Sequence, residues 1–255
     1  DLIAEGSELR RKWMDGILVQ IDREYLEQLQ FYAKILDQRN ALLKSMFEHR
    51  LFDRESIEVW DIQLINAGEL IHKKRQQFLE EFIPVFQKCY KEIGGNKEEV
   101  GLSYRSQLND GSFIDLLKDS EKRDAFSQYT NVGIHKDDLL FTINEHPAKK
   151  FGSQGQQKSF VIALRLAQYD WLKNHLAISP VLLLDDVFDK LDGKRVQKLI
   201  QMVTSLDFGQ VIVTDTDIER MRKLFEGLNV PSRIFEVKNQ EVEIIHEIEF
   251  HESER

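Results

Sequence analysis

Between Tyr25 and Met46 apolar residues recur at alternating steps of four and three. They are Tyr25, Leu29, Tyr32, Leu36, Leu43 and Met46, with Arg39 interrupting the stripe. This spacing keeps one face of an α-helix apolar and forms the seam of a coiled coil or narrow helical arm. The segment Leu51-Phe52-Asp53-Arg54-Glu55-Ser56 breaks the pattern, and either Asp53 or Ser56 can cap a new helix. A second stripe follows at Ile57, Trp60, Leu64, Ala67, Ile71 and Phe78. Two seams joined by a short turn predict an antiparallel hairpin inside a helical stretch from Arg10 to about Tyr90, each leg reaching about 40 Å. Gly94-Gly95-Asn96 closes it, as glycines do at helix C-termini. The same seams fit two legs of a compact bundle, but the heavily charged polar faces favour a projecting arm.

After Gly95 the period changes. Val100, Leu102 and Tyr104 alternate as in a strand, and Ser112 to about Gln128 reads as an amphipathic helix. Leu139 to Ile143 is strand-like, with a turn at Asn144 to Pro147, and a helix runs from about Lys158 to His175. The apolar runs Pro180 to Leu184 and Gln210 to Thr214 read as strands buried on both faces. Helices over about Lys194 to Val203 and Ile218 to Phe225 alternate with them, and short strands near Ile234–Val237 and Val242–Ile245 follow. Strands alternating with helices predict an α/β layer with parallel strands. The organisation is thus a helical arm over 1–95 and an α/β part over 96–255.

Bulk properties narrow the function. The net charge is −9, so any nucleic-acid contact must come from a local basic patch. The candidates are Arg10-Arg11-Lys12, Lys73-Lys74-Arg75 and Lys149-Lys150, each of which also fits a solvated helix or turn face. The single cysteine, Cys89, permits no intrachain disulfide and fits inert packing in a reducing, cytoplasmic setting. No apolar run approaches the ~20 residues that span a bilayer.

The chemistry concentrates in two places. In Val181-Leu182-Leu183-Leu184-Asp185-Asp186 a strand runs into two carboxylates at its carboxyl end, where open α/β sheets bind ligands. One carboxylate there can hold Mg²⁺ on nucleotide phosphates and the other can orient or deprotonate a water. Two acids after a strand equally often cap the next turn. Phe151-Gly152-Ser153-Gln154-Gly155-Gln156-Gln157 precedes a helix, and its glycines and helix N-terminus suit an anion; Ser153 with Gln156 is also a plain capping box. His135 lies among Lys136, Asp137 and Asp138, where a metal site competes with a hydrogen-bonded strand-entry residue. A phosphohydrolase using Asp185, Asp186 and Asp189 would need further acids on one metal cluster.

Taken together, the order changes the picture. A Ser-x-Gly-Gln helix start, a strand ending in acids, Phe188-Asp189-Lys190-Leu191-Asp192 and a second strand resemble the C-terminal half of an ABC-type ATPase head. Within that class, several segments resemble the RecF family: Leu9 to Asp15, Tyr25-Leu26, Gln38 to Lys44, Gly133 to Leu139, Ser153 to Gln157, Leu182 to Val187 and Val213 to Asp217. The resemblance covers most of the chain.

The resemblance implies a P-loop NTPase-like head with a mostly parallel sheet, plus an antiparallel helical arm. It assigns Asp185 to Mg²⁺ and Asp186 to the position of the catalytic acid. Ser153, Gln154, Gly155, Gln156 and Gln157 would form the signature turn that meets ATP held by a second copy. Asp189 and Asp192 would form the loop that crosses the dimer. The usual switch histidine is replaced by Thr214 and Asp215. Implied partners are DNA at gaps or single-to-double-strand junctions, RecR, RecO and a second copy in the presence of ATP, in DNA replication, repair and the SOS response. The chain holds no Gly-x-x-x-x-Gly-Lys-Ser/Thr loop, so by itself it is expected to be inactive, as a C-terminal portion of a slow ATPase. The alternative is a coiled-coil, SMC-like scaffold that binds partners without turning over ATP.

Overall fold

The computed structural model describes residues 2–95, 97–189, 191–205, 208–225 and 230–248. Asn96 of the glycine terminator and Lys190 of the Phe188–Asp192 segment lie outside them. The chain forms two compact units, Asp1–Ile178 and Ser179–Arg255.

The first unit opens with α1 (Ser7–Leu18), α2 (Arg23–His49) and α3 (Arg54–Gly94). The helical stretch expected as two legs is therefore three helices, with a further break between Leu18 and Arg23. Asp22 separates the first two by accepting the Tyr25 N–H at 2.9 Å, the N-cap geometry that starts a helix afresh. Of the two caps expected for the second leg, Asp53 serves, accepting the Ser56 N–H at 3.2 Å. The legs run antiparallel: Asp22 meets Lys74 at 2.7 Å, Arg39 meets Asp61 at 2.6 Å, and Leu43 and Met46 pack on Ile57 near the turn. Both predicted stripes form the seam, with Leu29, Leu36 and Trp60 only half-buried.

The 41 residues of α3 make a rod of about 60 Å, longer than the expected leg. Its C-terminal half packs on α6 (Gln154–Leu176), with Phe78 edge-on to Trp171 at 4.9 Å and Phe86 against Phe160 at 4.7 Å between ring centres. By compactness the chain thus divides at residue 178, and the helices up to residue 95 share a unit with α6. Between α3 and α6 lie β1 (Val100–Arg105), α4 (Phe113–Ser127), β2 (Asp138–Ile143), β3 (His146–Pro147) and α5 (Ala148–Phe151). The three strands form one antiparallel sheet, β1 pairing β2 from Val100↔Ile143 to Arg105↔Asp138. Asn144 and Glu145, both at positive φ, make the tight turn between β2 and β3.

Two arginines lie at the centre of this unit, each 1% exposed. Arg39 donates to Asp61, to Asp124 at 2.8 Å and to Thr130 at 2.9 Å, joining α2, α3, α4 and the loop that follows. Arg75 holds Asp15 through two nitrogens, the Ile134 carbonyl at 3.0 Å and Asp137 at 2.9 Å. A buried guanidinium is tolerable only when paired and hydrogen-bonded.

The second unit contains β4 (Val181–Asp185), α7 (Gly193–Ser205), β5 (Gln210–Thr214), α8 (Ile218–Phe225), β6 (Ser232–Lys238) and β7 (Glu241–Ile248). β4 and β5 pair in parallel from Val181↔Gln210 to Asp185↔Thr214, with α7 as the crossover. β6 and β7 form an antiparallel hairpin around Asn239 and Gln240, whose left-handed backbones make the turn. The parallel pairing expected for the α/β part is found in β4–β5, whereas β1–β2, β2–β3 and β6–β7 pair antiparallel. Burial on both faces is not observed. Leu182 and Leu184 are buried, but Val181 and Leu183 are 52% and 68% exposed, as is Ile212 at 45%. A pleated strand turns successive side chains to opposite faces, and only one face of β4 is covered.

Removing Arg39 leaves the fully buried Asp124 uncompensated. Arg39→Ala is expected to destabilise the first unit by about 3–5 kcal/mol. The exposed neighbour change Arg123→Ala should stay within about 0.5 kcal/mol. All three tryptophans, Trp13, Trp60 and Trp171, belong to the first unit, so denaturant unfolding followed by their fluorescence reads it.

Candidate functional site

The acid pair sits where the strand pattern put it. Asp185 is the last residue of β4, and Asp186 leaves the strand with a left-handed backbone at φ 47°. Both are exposed at the carboxyl end of the parallel pair. Thr214, the register partner of Asp185 on β5, donates its hydroxyl to Asp185 Oδ1 and accepts the Asp186 N–H at 3.3 Å. The next residue, Asp215, has a buried side chain bonded to Arg220 at 2.6 Å and to the Asp217 amide at 2.7 Å. Burial opposes its charge, but Arg220 and the amides prevail and hold its carboxyl below the usual range. Arg220 has no counterpart in the sequence reading; an arginine in the first turn after a strand ending in acids was the available signal.

Downstream, Asp189 is exposed, and Asp192 caps α7 by accepting the Arg195 N–H at 3.0 Å. Among the described residues no three His, Cys, Asp or Glu side chains converge as a metal cluster.

The amide-rich turn belongs to the first unit. Ser153 caps α6: its Oγ accepts the Gln156 N–H at 3.2 Å, and Gln156 Oε1 accepts the Ser153 N–H at 2.8 Å. The helix accordingly begins earlier than expected, at Gln154. The Gln157 side chain donates to the carbonyls of Ala148, Lys149 and Gly152 and so ties α5 to the start of α6. Gly155 lies in the first turn and its carbonyl accepts from Ser159. Ser153 and Gln154 are exposed. The capping box and an exposed helix N-terminus coexist here. Glu98 accepts from the Gln156 amide at 3.1 Å and from the Tyr90 hydroxyl.

The basic runs separate on inspection. Arg10 is paired with Asp138, Arg11 donates to the Asp137 carbonyl, Lys12 meets Glu8, Lys74 meets Asp22, and Arg75 is buried. Lys149 donates to the Ala4 carbonyl and Lys150 stands 5.3 Å from the centre of the exposed Phe151 ring, with no carboxylate among the described residues pairing either one. His135 is structural: Nδ1 accepts from the Tyr32 hydroxyl at 2.8 Å and Nε2 donates to the Thr130 carbonyl at 3.0 Å, leaving neither nitrogen for a metal.

No protein-family model matches the chain. The DNA replication and repair protein RecF of Flavobacterium johnsoniae is 48% identical over 235 residues, covering 92% of this chain and 66% of that protein. RecF of Parabacteroides distasonis is 40% identical over 247 residues, covering 97% of this chain and 67% of that protein. A solved structure described as the recombination mediator protein RecF with ATP in the RecFOR pathway superposes with a TM-score of 0.77 at 26% identity, covering 96% of this chain and 65% of the other. The chain thus spans about two thirds of the length of the curated relatives it matches. Element order and fold are those of the C-terminal half of an ABC-type ATPase head with an antiparallel helical arm. The chain belongs to the RecF family.

Burial, helped by the nearby Lys136 and Arg11 charges, pushes the His135 imidazole down from 6.5 to about 4. A depressed histidine gives stability that is complete above the unfolded value and is lost as pH falls from 6.5 through 4, because the unfolded chain takes up a proton first. The His135 ring resonances should therefore not titrate between about pH 8 and about pH 5. His135→Gln should flatten the acid limb of the stability curve. A titration midpoint near the usual histidine value contradicts this reading.

Proposed function

We propose that this chain supplies the arm (1–95) and the C-terminal part of the head (96–255) of an ATP-dependent, dimerising DNA clamp that acts at gapped or junction DNA in recombinational repair. The observation that carries the reading is the acid pair at the carboxyl end of β4, exposed and fixed by β5. Mg²⁺ commonly binds proteins through one or two carboxylates and takes its other oxygens from phosphates and water, so a lone exposed Asp185 fits it. Bound there with ATP, the ion would neutralise charge between the phosphates. Asp186 is the base that orients the attacking water and accepts its proton; its side chain is one methylene shorter than glutamate, which suits slow turnover. The turn Ser153-Gln154-Gly155-Gln156-Gln157 addresses the γ-phosphate of ATP held by a second copy, and Asp189 and Asp192 cross between copies. Lys149 and Lys150 are the cations best placed to meet a phosphate backbone, since the other basic runs are largely spent on internal pairs. RecR and RecO are the partners, and the cytoplasm is the site of action. No helix among the described residues is long and apolar enough to cross a membrane.

A scaffold reading draws on one feature, the exposed Phe47, Leu51, Phe52 and Val59 around the hairpin turn. It predicts function without the acids.

In the full-length protein, Asp186→Asn should lower ATP turnover by about a hundredfold or more while nucleotide binding persists. The isolated 255-residue chain should show no turnover. Unchanged turnover in the Asp186→Asn protein would contradict the proposal, and unchanged DNA-gap repair in cells carrying it would favour the scaffold.

A further inference from the structure

The end of β5 reads Val211-Ile212-Val213-Thr214. Three β-branched apolar residues are followed by one of the same shape with a hydroxyl in place of a methyl. Thr214 is exposed, so neither packing nor a buried polar group calls for that hydroxyl. The hydroxyl is nevertheless used twice, donating to Asp185 Oδ1 and accepting the Asp186 N–H. Asp186 also carries a left-handed backbone at φ 47°, an arrangement a non-glycine residue holds at a cost and only when its surroundings impose it.

The parallel register explains why one residue reaches both targets. Asp185 pairs with Thr214, and Asp186 is the first residue beyond the ladder, within reach of the same hydroxyl. A hydroxyl is also the suitable donor chemically. It fixes the carboxylate without cancelling its charge, whereas a lysine or arginine would compete with any cation ligand. Asp215, the residue after β5, has its buried side chain bonded to Arg220.

We infer that Thr214 is a positioning residue for the acid pair: one hydroxyl sets the side chain of Asp185 and the backbone of Asp186 together. The inference rests on the nucleotide-hydrolysis reading above and assigns to β5 the task of shaping the two carboxylates before any ligand binds.

The test uses the full-length protein with Thr214→Val, which keeps the shape and removes the hydroxyl, and Thr214→Ser, which keeps the hydroxyl. Without nucleotide, hydrogen exchange of the peptide spanning Leu184 to Val187 should accelerate at the Asp186 amide in Thr214→Val and stay protected in Thr214→Ser. With ATP and Mg²⁺, Thr214→Val should lower kcat by roughly tenfold to a hundredfold, as a misplaced catalytic group does, and raise the Mg²⁺ concentration needed for half activity, with KM for ATP little changed. Thr214→Ser should recover most of kcat. Normal exchange and normal kcat in Thr214→Val overturn the inference. So does equal loss of activity in both variants accompanied by a lower Tm, which marks a structural role alone. Asp186→Asn, measured alongside, separates the two levels. If it keeps full turnover, the hydrolysis reading fails; if it is inactive while Thr214→Val is normal, only the role of Thr214 fails.

Discussion

Two guanidinium groups buried at the centre of the first unit are the constraint on which its architecture depends. A charge removed from water must find opposite charge and hydrogen bonds at once, or the fold loses several kcal/mol. Arg39 finds Asp61, Asp124 and Thr130, and Arg75 finds Asp15, Asp137 and the Ile134 carbonyl. Those partners sit on different helices and on the loops before β2, so satisfying the two arginines places the hairpin, α4 and the β1–β2 sheet in one arrangement. Apolar seams alone would tolerate sliding of α2 along α3; fixed donors and acceptors do not.

The acids in the second unit are handled differently. Inside the first unit buried carboxylates meet arginine. At the end of β4 a carboxylate meets a neutral hydroxyl, and the pair stays exposed. Arg220, in the first turn of α8, is bonded to the buried Asp215. The first unit thus buries paired charge at its centre, while Asp185 and Asp186 lie at the surface of the second, the setting on which the Mg²⁺ and phosphate proposal draws.

Much of this was legible from residue patterns. The two stripes marked the hairpin seam, the apolar run into Asp185 and Asp186 marked the strand end, and Ser153 with Gln156 marked the start of α6. Seven segments, among them Gly133 to Leu139 and Ser153 to Gln157, together carried the resemblance to the family that the relatives show. What escaped has a common physical origin in pairings between distant residues. Arg39 read as a fault in the stripe because its partners Asp61, Asp124 and Thr130 are far along the chain. Lys73-Lys74-Arg75 read as a surface cluster because nothing local shows that Arg75 points inward to Asp15 and Asp137. Val181 and Leu183 read as buried because composition reports what a strand could cover, and the observed sheet covers one face. The hydroxyl of Thr214 became meaningful only once the register set it opposite Asp185.

The central functional claim is that the acid pair of one copy works with the Ser153 turn of another, and mixing inactive variants of the full-length protein tests it most directly. Ser153→Arg and Asp186→Asn copies should each be inactive alone. Combined in equal amounts with ATP, they should regain up to about a quarter of wild-type turnover, because half the dimers are mixed and each mixed dimer has one intact shared site. A mixture as inactive as its parts, or a Ser153→Arg protein that hydrolyses ATP normally by itself, would contradict the account.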